Sequence, residues 1–407
     1  MSSQTETSAA PALSSMRRVT VVLGVLQILA WGTTFYLLAI LAKPIVADTG
    51  WSYDRVLAGT SLGLLVAGLI SPRVGRAIAA RGGRPVLATA AVLIATGLIL
   101  IGSAQNFIWY LAGWTVLGLG MGSGLYDASF STLGVLYGSK ARNAISVVTL
   151  FGGFASTVCW PASAWLVEHA GWRAACFTYA AVYLLVALPL YLIAIPASHP
   201  HASEAAKGSK AGGVTLSATE WLIFAVLALI FTLKAGVMSS IGAHLVTLLM
   251  DKGLTLAQAV TLGMIIGPAA VGARLIETLA GHRYHPIWTM TASTVLMACG
   301  LPLFFADVWL YGAAIALYAA GSGIGSIAKG TLPLALFGAA RYPVLVGRLG
   351  LPSLVVMALA PVCGALVYER FGAEGLFALL SAVTTLNLVL MAVLWGLKLR
   401  AEPDAAA

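Results

Sequence analysis

Long apolar stretches alternate with short polar breaks from Arg17 to Arg400. Each stretch holds at least the ~20 residues that a helix needs to cross a hydrocarbon layer of about 30 Å. The pattern predicts twelve spans, at 18–47, 54–78, 85–105, 108–138, 143–168, 173–196, 217–249, 255–280, 286–306, 308–338, 342–369 and 374–398. Backbone groups cannot stay unpaired in lipid, and barrel strands alternate in polarity and are about half this length, so these spans are helices. The expected fold is an all-α polytopic membrane protein. Composition agrees: 60% of residues are hydrophobic and 9% charged, where soluble domains carry about a quarter charged.

The longest polar break, Ser198 to Gly213, is rich in Ser, Ala, Gly, Lys and His and reads as a flexible linker between two halves. The halves repeat at an offset of about 200 residues. Leu62-Gly63 recurs as Leu262-Gly263, and Pro85 as Pro286. Alternate glycines at 118, 120, 122 and 124 precede Leu136-Tyr137-Gly138; those at 321, 323 and 325 precede Leu336-Phe337-Gly338. Ala141-Arg142 answers Ala340-Arg341, and Pro161, Leu166-Val167 and Gly171 reappear as Pro361, Leu366-Val367 and Gly372. Such a tandem six-helix repeat predicts two parallel halves related by an axis along the membrane normal. The expected organisation is a disordered tail at 1–17, bundles at 18–197 and 217–398, a linker at 198–216 and a tail at 399–407.

The net charge of +9 is explained by its placement, without nucleic acid. Fourteen of the 23 Lys and Arg residues lie in the termini and every second loop, at positions 17, 18, 73, 76, 81, 84, 140, 142, 207, 210, 283, 341, 398 and 400. The alternate loops hold only Arg55, Arg173, Lys252 and Arg370. By the positive-inside bias both termini are expected in the cytoplasm. The first apolar stretch is too long for a cleaved signal and stays as the first span. Minimal loops and the lack of any Asn-x-Ser/Thr acceptor point to a bacterial inner membrane. The four cysteines lie in or beside apolar spans without disulfide or zinc spacing and read as packing residues.

With these features the chain resembles the major facilitator superfamily from Arg17 to Arg400. The loop signature of that family stands here as Gly75, Ala79, Arg81, Gly82 and Arg84, with alanine where the family has an acid. Gly50-Trp51-Ser52, Tyr137-Gly138 and Ala141-Arg142 resemble its monocarboxylate and oxalate/formate branch. That resemblance implies a carboxylate-binding arginine in the eighth span, the place of Arg274. The acid four residues before it is here Ala270, and the branch's first-span lysine has no counterpart between Trp31 and Tyr36. A cytoplasmic gate would involve Gly75, Arg76, Arg81, Arg84, Arg142, Glu277, Arg341 and Arg348.

Ionisable groups inside a bilayer cost about 2.5–3.5 kcal/mol each on insertion scales, so each requires a partner or a task. Asp127, Lys234 and Lys329 are the deepest. Asp127 and Lys329 hold equivalent places in spans 4 and 10, which line the cavity of the facilitator fold. They are expected to pair between halves when the cavity closes, or to form a permanent structural pair. Lys234, near mid-membrane with Met238 and His244 further along its span, makes the cavity net positive and favours an anion; alternatively it sits neutral or on a backbone carbonyl. Arg274 and Glu277, three residues apart, are expected to form a local helix pair. Trp31, Thr34, Tyr36 and Tyr126 offer stacking and hydrogen bonds, or ordinary packing. His244 and the methionines are too irregularly spaced for a copper site. No motif points to a cofactor, to ATP-driven transport or to an enzyme.

The resemblance and the residues together imply a monomeric secondary transporter of a small organic anion, with protons as coupling ion and alternating access of the two halves. The alternatives are efflux of larger amphipathic compounds, copper transport, or a sensor without flux.

Overall fold

The computed structural model describes residues 13–197 and 214–404. Residues 1–12, most of the expected linker and the last three residues lie outside them. Among the described residues every element is helical. Eight stretches are long and apolar enough to cross a membrane; two of these, 107–194 and 308–400, contain three spans each. The breaks within them are glycines of positive φ, Gly138 and Gly171 in the first and Gly338 and Gly372 in the second. Twelve spans result.

In chain order they are α1 (13–49), α2 (Tyr53–Arg81), α3 (Gly83–Gly102), α4 (107–137), α5 (141–170), α6 (172–194), α7 (Ala218–Asp251), α8 (256–280), α9 (286–305), α10 (311–337), α11 (339–371) and α12 (373–404). The first helix begins at Leu13 and the last reaches Asp404, outside the expected 18–398. Hydropathy marks where lipid ends, whereas a helix continues until its backbone bonds lose a partner.

All seven described residues with positive φ are glycine. Three pairs are related by the repeat: Gly50 with Gly253, Gly138 with Gly338, and Gly171 with Gly372. The left-handed conformation reverses the chain at a helix end, and only glycine adopts it without a Cβ clash.

The alternate glycines of α4 and α10 serve packing. A Cβ on Gly118 or Gly122 would strike the α2 backbone, and one on Gly120 would strike Ile94 of α3. In the second half, Gly321 lies against α9 and Gly323 against Ala270 of α8. Bilayer helices lack a hydrophobic drive to associate, so such close approach supplies the dispersion contact that holds each bundle. A polar side chain crosses each bundle as well. Gln27 of α1 donates to the Gly124 carbonyl at 2.7 Å and to Ser129 at 2.9 Å. Lys234 of α7 donates to the Gly321 carbonyl at 3.0 Å and to the Ser293 hydroxyl, and it occupies the space a side chain at Gly325 would need.

The halves depart from one another where helices break. α1 is interrupted between Gly32 and Leu37, where Thr33 and Thr34 turn their hydroxyls back onto the carbonyls of Leu29 and Ala30, an arrangement that bends helices. α4 breaks at the extended residue Leu125, after the glycines, which favour helix least among residues other than proline. α5 breaks at 153–154 and α8 at 264–265. Their repeat partners α7, α10, α11 and α2 run on without such breaks.

Contacts between loops sort the two faces. Arg142 meets Gly281, Arg341 pairs with Glu220 at 2.6 Å, Arg18 reaches Ile193, and Trp395 of the last span stacks edge-on to Trp288. These gather the chain ends and the α4–α5, α8–α9 and α10–α11 loops on one face, the terminal face. On the opposite face Arg173 ties Asp48 at 3.0 Å, and Lys252 ties Glu374 at 2.9 Å. The repeat thus preserves a tie between corresponding loops while reversing its charges.

Two outcomes follow for thermal unfolding of purified protein. Gly338→Ala, at φ +74° with open space around it, lowers stability by about 1–2 kcal/mol through backbone strain alone, while Gly396→Ala, helical and uncrowded, is neutral or stabilising. Gly325→Ala destabilises by collision with Lys234, and Lys234→Ala in the same chain recovers part of the loss, a coupling absent if the two sites are independent.

Candidate substrate cleft

The halves meet on the terminal face. A Cβ on Gly75 of α2 would collide with the Pro343 carbonyl of α11, and Gly347 and Gly350 of α11 lie equally close to Ser71 of α2. Tyr342 of α11 is fully buried over Gly134 of α4 and donates to the Gly330 carbonyl at 2.6 Å. Arg142 of α5 donates to the Gly281 carbonyl beyond α8. Ala141–Gly152 of α5 packs on Ile266–Ala280 of α8, whereas past the breaks α5 (155–170) and Leu256–Gly263 of α8 are largely exposed, so the contact between these two helices lies on the side of the termini.

At the base of this seam stands an ion pair between halves. Lys329 Nζ of α10 donates to Asp127 Oδ2 at 3.0 Å and lies 2.8 Å from Oδ1, which has no hydrogen bond of its own. Asp127 sits in the first turn of the helix that restarts at Tyr126. The break at Leu125 therefore aims a positive helix end at the carboxylate. The side chains keep 13% and 29% of their exposure, so the pair is reachable though mid-membrane.

Aromatic rings form the wall contributed by the first half. Trp31 of α1 lies 5.0 Å from Tyr126 and 6.4 Å from Tyr36, and Tyr36 lies 6.2 Å from Trp160 of α5. Tyr126 stacks on Phe130 at 5.0 Å and donates to the Thr149 carbonyl at 3.2 Å. Opposite them, half-buried Arg274 of α8 donates through Nε to the Gly323 carbonyl at 3.2 Å. Its Nη1 occupies the space beside Gly153, at the α5 break, next to Gly152, against which the Tyr126 hydroxyl lies. No carboxylate pairs with Arg274 among the described residues.

Other expected residues lie elsewhere. Thr34 is fully buried, its hydroxyl spent on Ala30. Lys234 is turned into its own bundle, on a carbonyl and a hydroxyl. His244 donates through Nε2 to the Pro361 carbonyl at 2.8 Å, and Met238 packs against the core of the second half. Arg274 and Glu277 do not form the expected helix pair. Glu277 is buried and accepts from Tyr284 at 2.6 Å and Thr289 at 2.7 Å; burial and this bond push the Tyr284 hydroxyl up to about 12. Two hydroxyl donors on adjacent turns satisfy the acid at lower cost than a swing toward Arg274.

Of the gate residues, Gly75 and Arg142 lie in contacts between halves, whereas Arg341 pairs within its own half with Glu220. Arg76 and Arg81 are exposed, and neither they nor Arg84 meets a carboxylate among the described residues. Arg348 is half-buried and likewise unpaired. The sequence reading missed Gln27, whose signal was a lone amide in an apolar span.

Residues 22–286 match the family described as the Major Facilitator Superfamily. No curated protein matches the chain significantly. Among solved structures it is similar to the human organic anion transporter MFSD10 (TETRAN), at 18% identity and TM-score 0.73, over 92% of this chain and 99% of that one. It is similar to the transporter FucP in its outward conformation, at 16% identity and TM-score 0.72, over 93% and 99%. The proton:xylose symporter XylE is similar at 13% identity and TM-score 0.69, over 93% and 95%. At these identities the likeness is one of fold. With the family matched over well over half of its length, the chain belongs to the Major Facilitator Superfamily of multi-pass membrane transporters.

Proposed function

We propose that the protein is a proton-linked carrier of a small organic anion, working by alternating access of its two six-helix halves. The observation that carries this reading is the charge of the cleft. Lys329 has a carboxylate partner and Arg274 has none among the described residues, so half-buried Arg274 presents an unneutralised guanidinium between the halves. An isolated charge there calls for a counter-ion, and a planar guanidinium offers a carboxylate two parallel donors. The organic anion transporter among the similar folds is consistent with this chemistry.

Coupling follows from the ion pair. A proton on Asp127 removes its charge and leaves Lys329 as a second free cation, which strengthens anion binding. By linkage, bound anion then raises the affinity for the proton by the same factor. The pair also fastens the halves on the terminal side, so its loss favours rocking. The basic loops assign that side to the cytoplasm of a cell membrane.

Proteoliposomes test both parts. Asp127→Asn retains anion counterflow but loses accumulation driven by a pH gradient; gradient-driven uptake that survives this change rules out the coupling role. Arg274→Gln weakens anion binding by about 10- to 100-fold, the loss expected for a charged hydrogen-bond pair, and unchanged affinity removes Arg274 as the anchor.

A further inference from the structure

We propose that the anion is an aromatic carboxylate, held by its carboxylate on Arg274 and by its ring against Trp31, Tyr36 and Tyr126. This rests on Arg274 as the anion anchor and goes on to name the body of the substrate.

The guanidinium is fixed at one end. Nε is committed to the Gly323 carbonyl, while the terminal nitrogens make no hydrogen bond among the described residues. Gly153 lets Nη1 pack against the α5 backbone without a side chain between them. The N–H groups of the terminal nitrogens stay available as donors to a carboxylate. From these donors the nearest wall is aromatic. The Tyr126 hydroxyl lies against Gly152 and Arg274 Nη1 against the next residue, Gly153, and Trp31 bridges Tyr126 and Tyr36, 5.0 Å from one ring and 6.4 Å from the other. Trp160 extends the wall past the α5 break, 40% exposed against Tyr36.

A second observation points the same way. The Trp31 indole N–H is buried and has no acceptor among the described residues, although a buried indole normally finds one. Rings at these tilts leave edges and faces on which a further ring packs. A formate- or acetate-sized anion would use Arg274 and leave the aromatic wall idle. An aromatic cation would meet the unpaired guanidinium with no free carboxylate to offset it, since Asp127 is held by Lys329.

The test is isothermal titration of the purified full-length protein with benzoate, cyclohexanecarboxylate, acetate and benzylamine. It is run on wild type, Trp31→Phe, Trp160→Leu and Arg274→Gln. Benzoate binds about three- to tenfold more tightly than cyclohexanecarboxylate, the size of an aromatic contact beyond its area, and more tightly still than acetate. Trp31→Phe removes most of the preference for benzoate and leaves acetate unchanged; Trp160→Leu, at an exposed position, reduces the same preference if Trp31→Phe does not fold. Arg274→Gln weakens every carboxylate. Equal binding of all three acids, each still dependent on Arg274, overturns the aromatic inference and leaves the anion reading standing. Carboxylate binding that ignores Arg274, no carboxylate binding at all, or preference for benzylamine overturns both.

Discussion

A bilayer offers no water to a peptide group that loses its partner, and this one constraint governs both the regular and the irregular parts of the molecule. It makes every span a helix. It also requires that where a helix is interrupted another donor takes the freed carbonyl. Thr34 does so for Ala30 at the bend of α1, and Gln27 takes the Gly124 carbonyl where α4 breaks. In α11, Pro361 lacks the N–H that would bind the Met357 carbonyl, and Ser239 of α7 supplies the donor instead at 2.7 Å.

These repairs fall where the cleft lies. The breaks in α1, α4 and α5 bring Tyr36, Tyr126, Asp127 and Gly153 to one wall, while the opposite half contributes Arg274 and Lys329 from α8 and α10. Irregular backbone inside a membrane is tolerated where it is packed in protein or lines a cavity, and here it places Asp127 in the first turn of the helix that restarts at Tyr126. The unbroken partners α2, α7, α10 and α11 form the stiff elements against which the broken ones are held.

The two contact regions between halves differ in kind. Glycines of α2 and α11 make a close seam of backbone on backbone, with the Ser71 hydroxyl and the Asp127 carboxylate at its edge beside Gly350. Arg142 on Gly281 and Asp127 with Lys329 are directional and charged. A joint of this construction has its energy concentrated in a few polar contacts, so a change of protonation or an arriving anion alters the balance between states by its differential interaction with them.

The spans, the duplication and the places of Asp127, Lys234 and Lys329 in the interior of their helices were legible in the sequence, because each follows from one-dimensional quantities: apolar length, spacing at an offset of about 200, and distance from a span end. The pairing of Asp127 with Lys329 was also expected, as equivalent places in two repeats face a common axis. What Lys234, Arg274 and Glu277 do was decided only in three dimensions. All three are ionisable groups in apolar helices and look alike along the chain. Packing turned Lys234 into its own bundle on Ser293 and Gly321, gave Glu277 to Tyr284 and Thr289, and left Arg274 without a carboxylate among the described residues. The direction of a side chain around its helix, and the donors that neighbouring helices place beside it, are properties of the assembled bundle, and these determine which buried charge is satisfied and which is left for a ligand.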